Sequence, residues 1–354
     1  MIGGHMKSLS ISHDGICVTL HSNDANELES IKACFEYFWD SKYSTDPLKR
    51  WSVVSHKVSS VGTVTDIAQL AKSAGLFKDT STKMGIVDGR HCYLHSSQDK
   101  TSLTAFDLAN GVVDFYHEED PIELSYLRNL VREPVAAQYQ QTKHLNIHAS
   151  ACSIDSKGIL MPGLKGAGKS TLLVHLLGKG ARYIANDAVL CTRRDDSLTL
   201  TAYPQCVRLS KETIENSKAL SSVFVGTSNY NFLNEKFEFL PCLFDRCFPM
   251  HQLSFRCGLE LILVPSLDLS RNDYSIEFDK DGSNALSLLR QSLFYGYHNY
   301  TWSPFFDDLN DSSVDVSNLA RVFASLPKVC HLKYGILDDD QQQRLFDDVS
   351  EIVT

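Results

Sequence analysis

The feature that most constrains this chain is the run Gly163-Leu164-Lys165-Gly166-Ala167-Gly168-Lys169-Ser170. It matches Gly-x-x-x-x-Gly-Lys-Ser/Thr in full, and it lies between the apolar run Ile159-Leu160-Met161 and a second apolar run from Thr171 to Leu177. Such a loop works where a strand ends and a helix begins. Its glycines let successive backbone N–H groups turn inward into an anion-binding nest, and the helix adds the positive end of its dipole. Lys169 then places a mobile charge on β- and γ-phosphates, and Ser170 offers a hydroxyl to the magnesium ion that travels with them. A chance match is expected in about one per cent of chains of this length. The strand-loop-helix context lowers that figure further. The loop therefore predicts an α/β chain that holds a nucleoside triphosphate on Gly163 to Ser170, with Thr171 in the first helical turn.

Two further features lie at distances that bring them back to this loop. Asn186-Asp187 follows one helix, a Gly178/Gly180 stop and the short strand Arg182-Tyr183-Ile184-Ala185. That path returns the chain to a neighbouring strand, so a carboxylate at Asp187 emerges beside the phosphates. There it can hold magnesium or accept the proton of an attacking hydroxyl. The alternative is an aspartate that only caps a strand end. His148, in Leu145-Asn146-Ile147-His148-Ala149-Ser150, precedes the loop by one strand. A histidine in such a run is either a satisfied core residue or an active-site group.

The chain has 354 residues, which suits two domains or one domain with a large extension. A net charge of −9 argues against non-specific nucleic-acid binding, which needs a basic footprint. No apolar run is long enough to cross a bilayer, and no secretory signal opens the sequence, so a cytoplasmic protein without a membrane partner is expected. The ten cysteines show no Cys-x-x-Cys pair and read as buried reduced thiols. Met1-Ile2-Gly3-Gly4-His5 reads as a cloning remnant, with Met6 as the natural start.

Periodicity divides the remainder into residues 7–140, an α+β region, and 141–354, the region that carries the loop. In the first, Gly15 to Leu20 and Arg90 to His95 read as strands, and Ala25 to Trp39 and Ile122 to Ala137 as helices. In the second, Ile147 to Ile154, Ile159 to Met161, Arg182 to Ala185, Val189 to Cys191, Leu198 to Tyr203, Leu259 to Val264 and Cys330 to Tyr334 read as strands. A helix runs from Ser170 to Leu177, and two helical patterns flank the last strand between Asp315 and Thr354. Gly226 to Phe248 is aromatic and reads as irregular. Arg208, Glu212, Lys236 and Arg246 are charges that either contact phosphate or acceptor or simply face water.

The run from His148 to Cys191 resembles the HPr kinase/phosphorylase family: a histidine, an apolar strand, the loop, its helix, a glycine stop and an acidic pair. The likeness extends more weakly through Tyr203-Pro204-Gln205-Cys206-Val207-Arg208. It implies a phosphoenolpyruvate-carboxykinase-like P-loop kinase core, ATP and Mg2+ as cofactors, assembly into homo-oligomers, and phosphorylation of a hydroxyl, typically a serine on a small protein. Carried over by residue, Gly163, Gly168, Lys169 and Ser170 bind phosphate, Ser170 and Asp187 bind metal, and His148 enters the active site. The family's pair is Asp-Asp, and its first member is the expected base. Here that position is Asn186, and an amide is no base. The role falls to Asp187 or His148, or is lost. The expected function is thus a kinase acting on serine or threonine of a protein or peptide. The alternatives are a small-molecule kinase on the same core and a nucleotide-gated regulatory protein with slow turnover.

Overall fold

A computed structural model describes residues 6–13, 16–36, 50–61, 75–76, 82–87, 89–97, 100–118, 126–134, 144–194, 197–203, 205–224, 231–233, 236–240, 244, 246–248, 256–280, 282–293, 319–323 and 325–354. They divide into two units, one holding residues 6–134 and the other holding 144–293 and 319–354. Met1 to His5, Gly15, Phe38, Trp39, Ile122, Leu124, Ala137, Pro204, Gly226, Cys242 and Asp315, which enter the sequence reading, lie outside the described residues.

The first unit is one eight-stranded sheet with helices. Its strands are β1 (Lys7–His13), β2 (Ile16–Ser22), β3 (Arg50–Lys57), β4 (Gly75–Leu76), β5 (Thr82–Val87), β6 (Arg90–Ser97), β7 (Lys100–Asp107) and β8 (Val112–His117). The spatial order is β1-β2-β3-β8-β7-β6-β5-β4. β3 runs parallel to both β2 and β8, and the other pairs are antiparallel. Strict alternation sets the buried face: Val113, Phe115 and His117 of β8 point inward while Val112, Asp114 and Tyr116 are half-buried. Helix α1 (Ala25–Phe35) starts on Asp24, whose carboxylate accepts the Asn26 N–H at 2.8 Å. Leu28, Ile31, Cys34 and Phe35 form its buried stripe. Helix α2 (126–134) buries Leu127, Leu130 and Val131.

A buried ion pair joins α1 to this sheet. His117 Nδ1 lies 3.1 Å from the Glu118 carbonyl oxygen, and Nε2 lies 2.9 Å from Glu27 Oε1 and 3.0 Å from Ser55 Oγ. A carbonyl and a carboxylate only accept, so both ring nitrogens donate and the ring is an imidazolium. Ser22 Oγ donates to the other Glu27 oxygen at 2.7 Å. Burial pushes the Glu27 carboxyl up, but the bonds from His117 and Ser22 outweigh it and hold the group below its usual 4.5.

The second unit carries the phosphate-loop motif. Its strands are β9 (Leu145–Ile147), β10 (Ala149–Ile154), β11 (Lys157–Pro162), β12 (Arg182–Ala185), β13 (Val189–Arg194), β14 (Ser197–Ala202), β15 (Val207–Ser210), β16 (Asn231–Leu233), β17 (Lys236–Phe239), β18 (Arg256–Leu267), β19 (Tyr274–Phe278) and β20 (Lys328–Tyr334). Nine of them make one sheet, ordered β12-β10-β11-β18-β14-β13-β9, with β20 also on β18 and β19 on β20. β18 is long enough to serve two neighbours: its start pairs with β14, and Leu261 to Leu267 pair with β20. β11, β18 and β20 are mutually parallel and end at one edge. Central position explains the composition of β11 and β18, since Ile159, Leu160, Met161, Leu261, Ile262 and Leu263 are all fully buried. The other helices are α3 (Lys169–Gly178), α4 (Lys211–Glu215), α5 (Lys218–Phe224), α6 (Ser283–Ser292) and α7 (Asp339–Val353). α7 begins with a capping box between Asp338 and Gln341 and buries Leu345, Val349 and Val353.

The mixed sheets and helices make this an α/β protein. Two local expectations change. The run Ile147 to Ile154 is not one strand: it breaks at His148, and β9 pairs with β13 while β10 pairs with β11 and β12. The stretch from Gly226 to Phe248 is not wholly irregular: β16 and β17 pair antiparallel and add to β15. Eight of the described cysteines are buried thiols and Cys247 is half-buried, none in a disulfide. Among the described residues no cluster of histidine, cysteine and acidic side chains could hold a metal, and no helix is long and apolar enough to cross a membrane.

Glu27→Gln leaves the His117 imidazolium without its counter-charge and should cost roughly 2–3 kcal/mol at neutral pH. The folded-state carboxyl lies below its unfolded value. The wild-type advantage is therefore full above about pH 4.5 and vanishes as pH falls through the folded-state value. Urea unfolding of both proteins between pH 7 and pH 2 checks this; a gap that persists in acid contradicts it.

Candidate functional site

The candidate site forms where β11, β18 and β20 end. β11 delivers the chain into residues 163–168, and α3 begins at Lys169. Gly166 (φ 88°) and Gly168 (φ 90°) both take left-handed backbone, which glycine adopts without steric cost. At Gly168 space forbids any other residue, since a Cβ would lie 2.3 Å from Tyr334 Oη and 2.7 Å from Leu267 Cβ. Those two contacts also clamp the loop. Tyr334 Oη donates to the Gly168 carbonyl at 2.6 Å, and the Leu267 N–H donates to the Ala167 carbonyl at 3.2 Å. The ends of β20 and β18 thus hold the loop in place.

Lys169 is 7% exposed and its Nζ donates to the loop carbonyls of Gly163 (2.7 Å) and Leu164 (3.1 Å). Burial pulls its ammonium down to about 8; Asp187 opposes the shift and Lys236 adds to it. Ser170 Oγ donates to Asn186 Oδ1 at 3.0 Å, and Ser150 Oγ donates to the same oxygen at 2.8 Å. Asn186 Nδ2 donates to the Arg208 carbonyl at 3.0 Å, and Gln205 donates to the Asn186 carbonyl. Asn186 is fully buried. Its amide accepts from two hydroxyls and donates to a carbonyl, a set no carboxylate could satisfy.

Asp187 follows with φ 71°, a left-handed conformation that aspartate tolerates better than most residues. The turn separates its two functions. Its backbone carbonyl receives His148 Nδ1 at 3.0 Å, and its carboxylate stands 3.4 Å from Lys236 Nζ. Because a carbonyl only accepts, His148 carries its proton on Nδ1, and the neutral ring has its lone pair on Nε2. Burial, then the charge of Lys169, pulls the His148 pKa below 6.5, which favours that neutral ring. The break between β9 and β10 fixes the residue itself, since the His148 N–H leaves the sheet ladder for the Ser292 carbonyl at 2.6 Å.

His148, Lys169, Ser170, Thr171, Asp187 and Lys236 all line one cavity of about 420 Å³, together with Lys165, Gly166 and Gly168 of the loop. Glu212 lines it as well, whereas Arg208 contributes its carbonyl to Asn186 and Arg246 is outside the lining. Asn186 does not line it. Sequence reasoning named Lys236 as a charge that either contacts phosphate or acceptor or faces water, and the structure puts it in the lining. Only the pairing of Ser210 with Lys236 across β15 and β17 brings it to the site. Sequence reasoning missed Tyr334 and Leu267, whose contacts span most of the unit. Ser150 was a missed partner too, although its place two residues after His148 puts it on the same face of the run.

A magnesium ion would find two suitable oxygens. Ser170 gives its proton to Asn186, which leaves its oxygen lone pairs for a cation, and Asp187 supplies a carboxylate in the same cavity. Two protein ligands with phosphate and water completing the shell is the habit of Mg2+ at phosphate sites, so these residues fit it.

No family model matches the chain. Over 113 residues, 31% of its length, it is 26% identical to an HPr kinase/phosphorylase of Prosthecochloris aestuarii (strain DSM 271 / SK 413). The match spans 32% of that relative, so the chain covers about a third of its length. A solved HPr(Ser) kinase/phosphatase from Coxiella burnetii aligns over 59% of this chain and 93% of its own at 12% identity. Its TM-score of 0.26 is too low to bear on the fold. The chain is thus similar to the HPr kinase/phosphorylase family, as the run from His148 to Cys191 suggests.

Asn186→Asp replaces the bond to the Arg208 carbonyl with oxygen–oxygen repulsion and buries a charge. It should cost on the order of 2–3 kcal/mol. A thermal scan checks this; an unchanged midpoint contradicts the reading of the amide as a buried structural link.

Proposed function

We propose that this chain is an ATP- and magnesium-dependent kinase that passes the γ-phosphoryl group to a serine or threonine hydroxyl of a protein or peptide. The core, on this reading, is of the phosphoenolpyruvate-carboxykinase and HPr-kinase type, within residues 141–354. One observation carries the reading: Lys169, Lys236, Asp187 and His148 meet on the same cavity at the mouth of the loop. Phosphoryl transfer needs positioned charge more than covalent help, and this set supplies both signs.

Each residue has a distinct task. The loop from Gly163 to Ser170 cradles the β- and γ-phosphates, with Thr171 beside it. Lys169 leaves its own loop carbonyls for phosphate oxygens, an exchange of neutral acceptors for charged ones. Ser170 and Asp187 would hold magnesium, which neutralises phosphate charge when bound. Lys236, whose Nζ stands 3.4 Å from the Asp187 carboxylate, adds a second positive charge to the same cavity. The acceptor oxygen attacks the γ-phosphorus, the bond to the β-phosphate oxygen breaks, and ADP leaves with the electron pair. The hydroxyl proton passes to His148 Nε2, the nitrogen left basic by the bond from Nδ1. Asn186 positions Ser170 and takes no proton, so its presence in place of aspartate is no mark of lost chemistry. Among acceptors a protein or peptide is preferred because the relative's name, HPr kinase/phosphorylase, denotes a kinase of HPr.

ATP titrations between pH 6 and pH 10 test this reading. Lys169 must be charged to hold phosphate, and its free-state value is about 8. Affinity should hold below pH 8 and fall by up to tenfold per unit above it. Lys169→Ala should bind weakly with no such pH dependence and lose on the order of 100-fold in turnover. Near-normal ATP consumption by that variant would sink the assignment.

A further inference from the structure

The carboxylate fitted to a metal already has a cation beside it. Lys236 Nζ stands 3.4 Å from Asp187 Oδ1. Among the described residues lining the cavity, Lys165, Lys169 and Lys236 are positive, while Asp187 and the exposed Glu212 are negative. An excess of ammonium groups favours an anion in this space and disfavours a lone divalent cation.

The two members of the pair differ in freedom. Asp187 sits on a left-handed turn (φ 71°), its carbonyl is held by His148 Nδ1 at 3.0 Å, and the residue before it is fully buried. A short side chain on so fixed a backbone leaves the carboxylate little room to move. Lys236 is fixed only at its backbone, where it pairs with Ser210 of β15 and Leu233 of β16. Its side chain is 35% exposed, and a four-carbon stem carries the charge. The contact is also long, since a charge-assisted bond between nitrogen and carboxylate runs at about 2.7–2.9 Å. A half-exposed pair of this kind opens at small cost. The lysine is therefore the partner that yields.

It has reason to yield. An ammonium and a divalent cation roughly 4 Å apart repel each other strongly enough, even at the dielectric constant of water, to weaken binding by more than about tenfold. We infer, on the reading of Ser170 and Asp187 as metal ligands beside a triphosphate loop, that Lys236 is a placeholder for the metal. In the free protein it holds the Asp187 carboxylate and keeps lone divalent cations out. It releases the carboxylate when a metal–triphosphate complex offers phosphate oxygens to its ammonium instead. Lys236 thus has two opposite effects: it weakens binding of metal alone and strengthens binding of triphosphate alone.

The test is titration of the full chain with Mn2+, which takes the same oxygen ligands as Mg2+, followed by electron paramagnetic resonance of the free ion. A second titration uses metal-free ATP. Lys236→Met, which keeps the length of the stem and removes the charge, should bind Mn2+ about tenfold more tightly than wild type and ATP several-fold more weakly. Adding Asp187→Asn to that variant should abolish the gain for Mn2+. A protein merely damaged by the substitution would lose both ligands together. With ATP binding by wild type intact, an Mn2+ affinity that falls or stays level in Lys236→Met, or a gain that survives Asp187→Asn, overturns the competition alone. Wild type that fails to bind ATP overturns the triphosphate reading and the placeholder with it.

Discussion

The second unit depends on one buried amide. Asn186 Oδ1 accepts from Ser150 on β10 and from Ser170 in the first turn of α3, and Nδ2 donates to the carbonyl of Arg208 on β15. These bonds tie the strand behind the loop, the helix in front of it and the small sheet beside it to the end of β12. In a dry interior each such bond is strengthened, and each partner would be costly to leave unmatched. Tyr334 and Leu267 complete the frame from the other side by gripping the Gly168 and Ala167 carbonyls. The loop is held between the two sets of contacts, and the orientation of Lys169 and Ser170 follows from that.

Much of this was legible in the sequence, for local reasons. The loop, its helix and the return path to Asp187 are set by glycine conformation, strand length and helix length, all short-range properties. Two of the three parallel strands, β11 and β18, were legible as strands too, because burial on both faces demands continuous apolar runs such as Leu261-Ile262-Leu263. What was hidden depends on pairing between distant segments. Lys236 reaches the site only through the register of β17 against β15, and nothing in its neighbours announces that register. The break at His148 was hidden because the apolar alternation Leu145, Ile147, Ala149, Ala151 continues through it. It arises where β9 and β10 choose different partners. Asn186 looked like a missing base; its meaning lies in three partners far apart in the chain.

The electrostatics of the site follow from burial with incomplete compensation. Lys169 and Lys236 share one nearby carboxylate, Asp187, and Lys169 is buried enough to have its ammonium weakened to about 8. On the proposed reading a triphosphate with its negative charges would restore the balance, and binding and charging of the lysine would be coupled. His148 is shifted the same way by the same surroundings, which keeps its ring neutral beside two cations. On the proposed reading, a neutral histidine with a fixed tautomer and a lysine whose charge strengthens on binding would make a site that a nucleotide completes. In the first unit charge is compensated locally, by the Glu27–His117 pair and the bond from Ser22.

The central claim is transfer of phosphate to a protein hydroxyl, and the most direct measurement follows the phosphorus. The full chain is incubated with γ-labelled ATP, magnesium and a native lysate, and the labelled products are identified by mass spectrometry. The account predicts phosphoserine or phosphothreonine on a protein, formed by wild type and absent with Lys169→Ala. Label recovered from wild type solely as inorganic phosphate, or equal protein labelling by the variant, contradicts it.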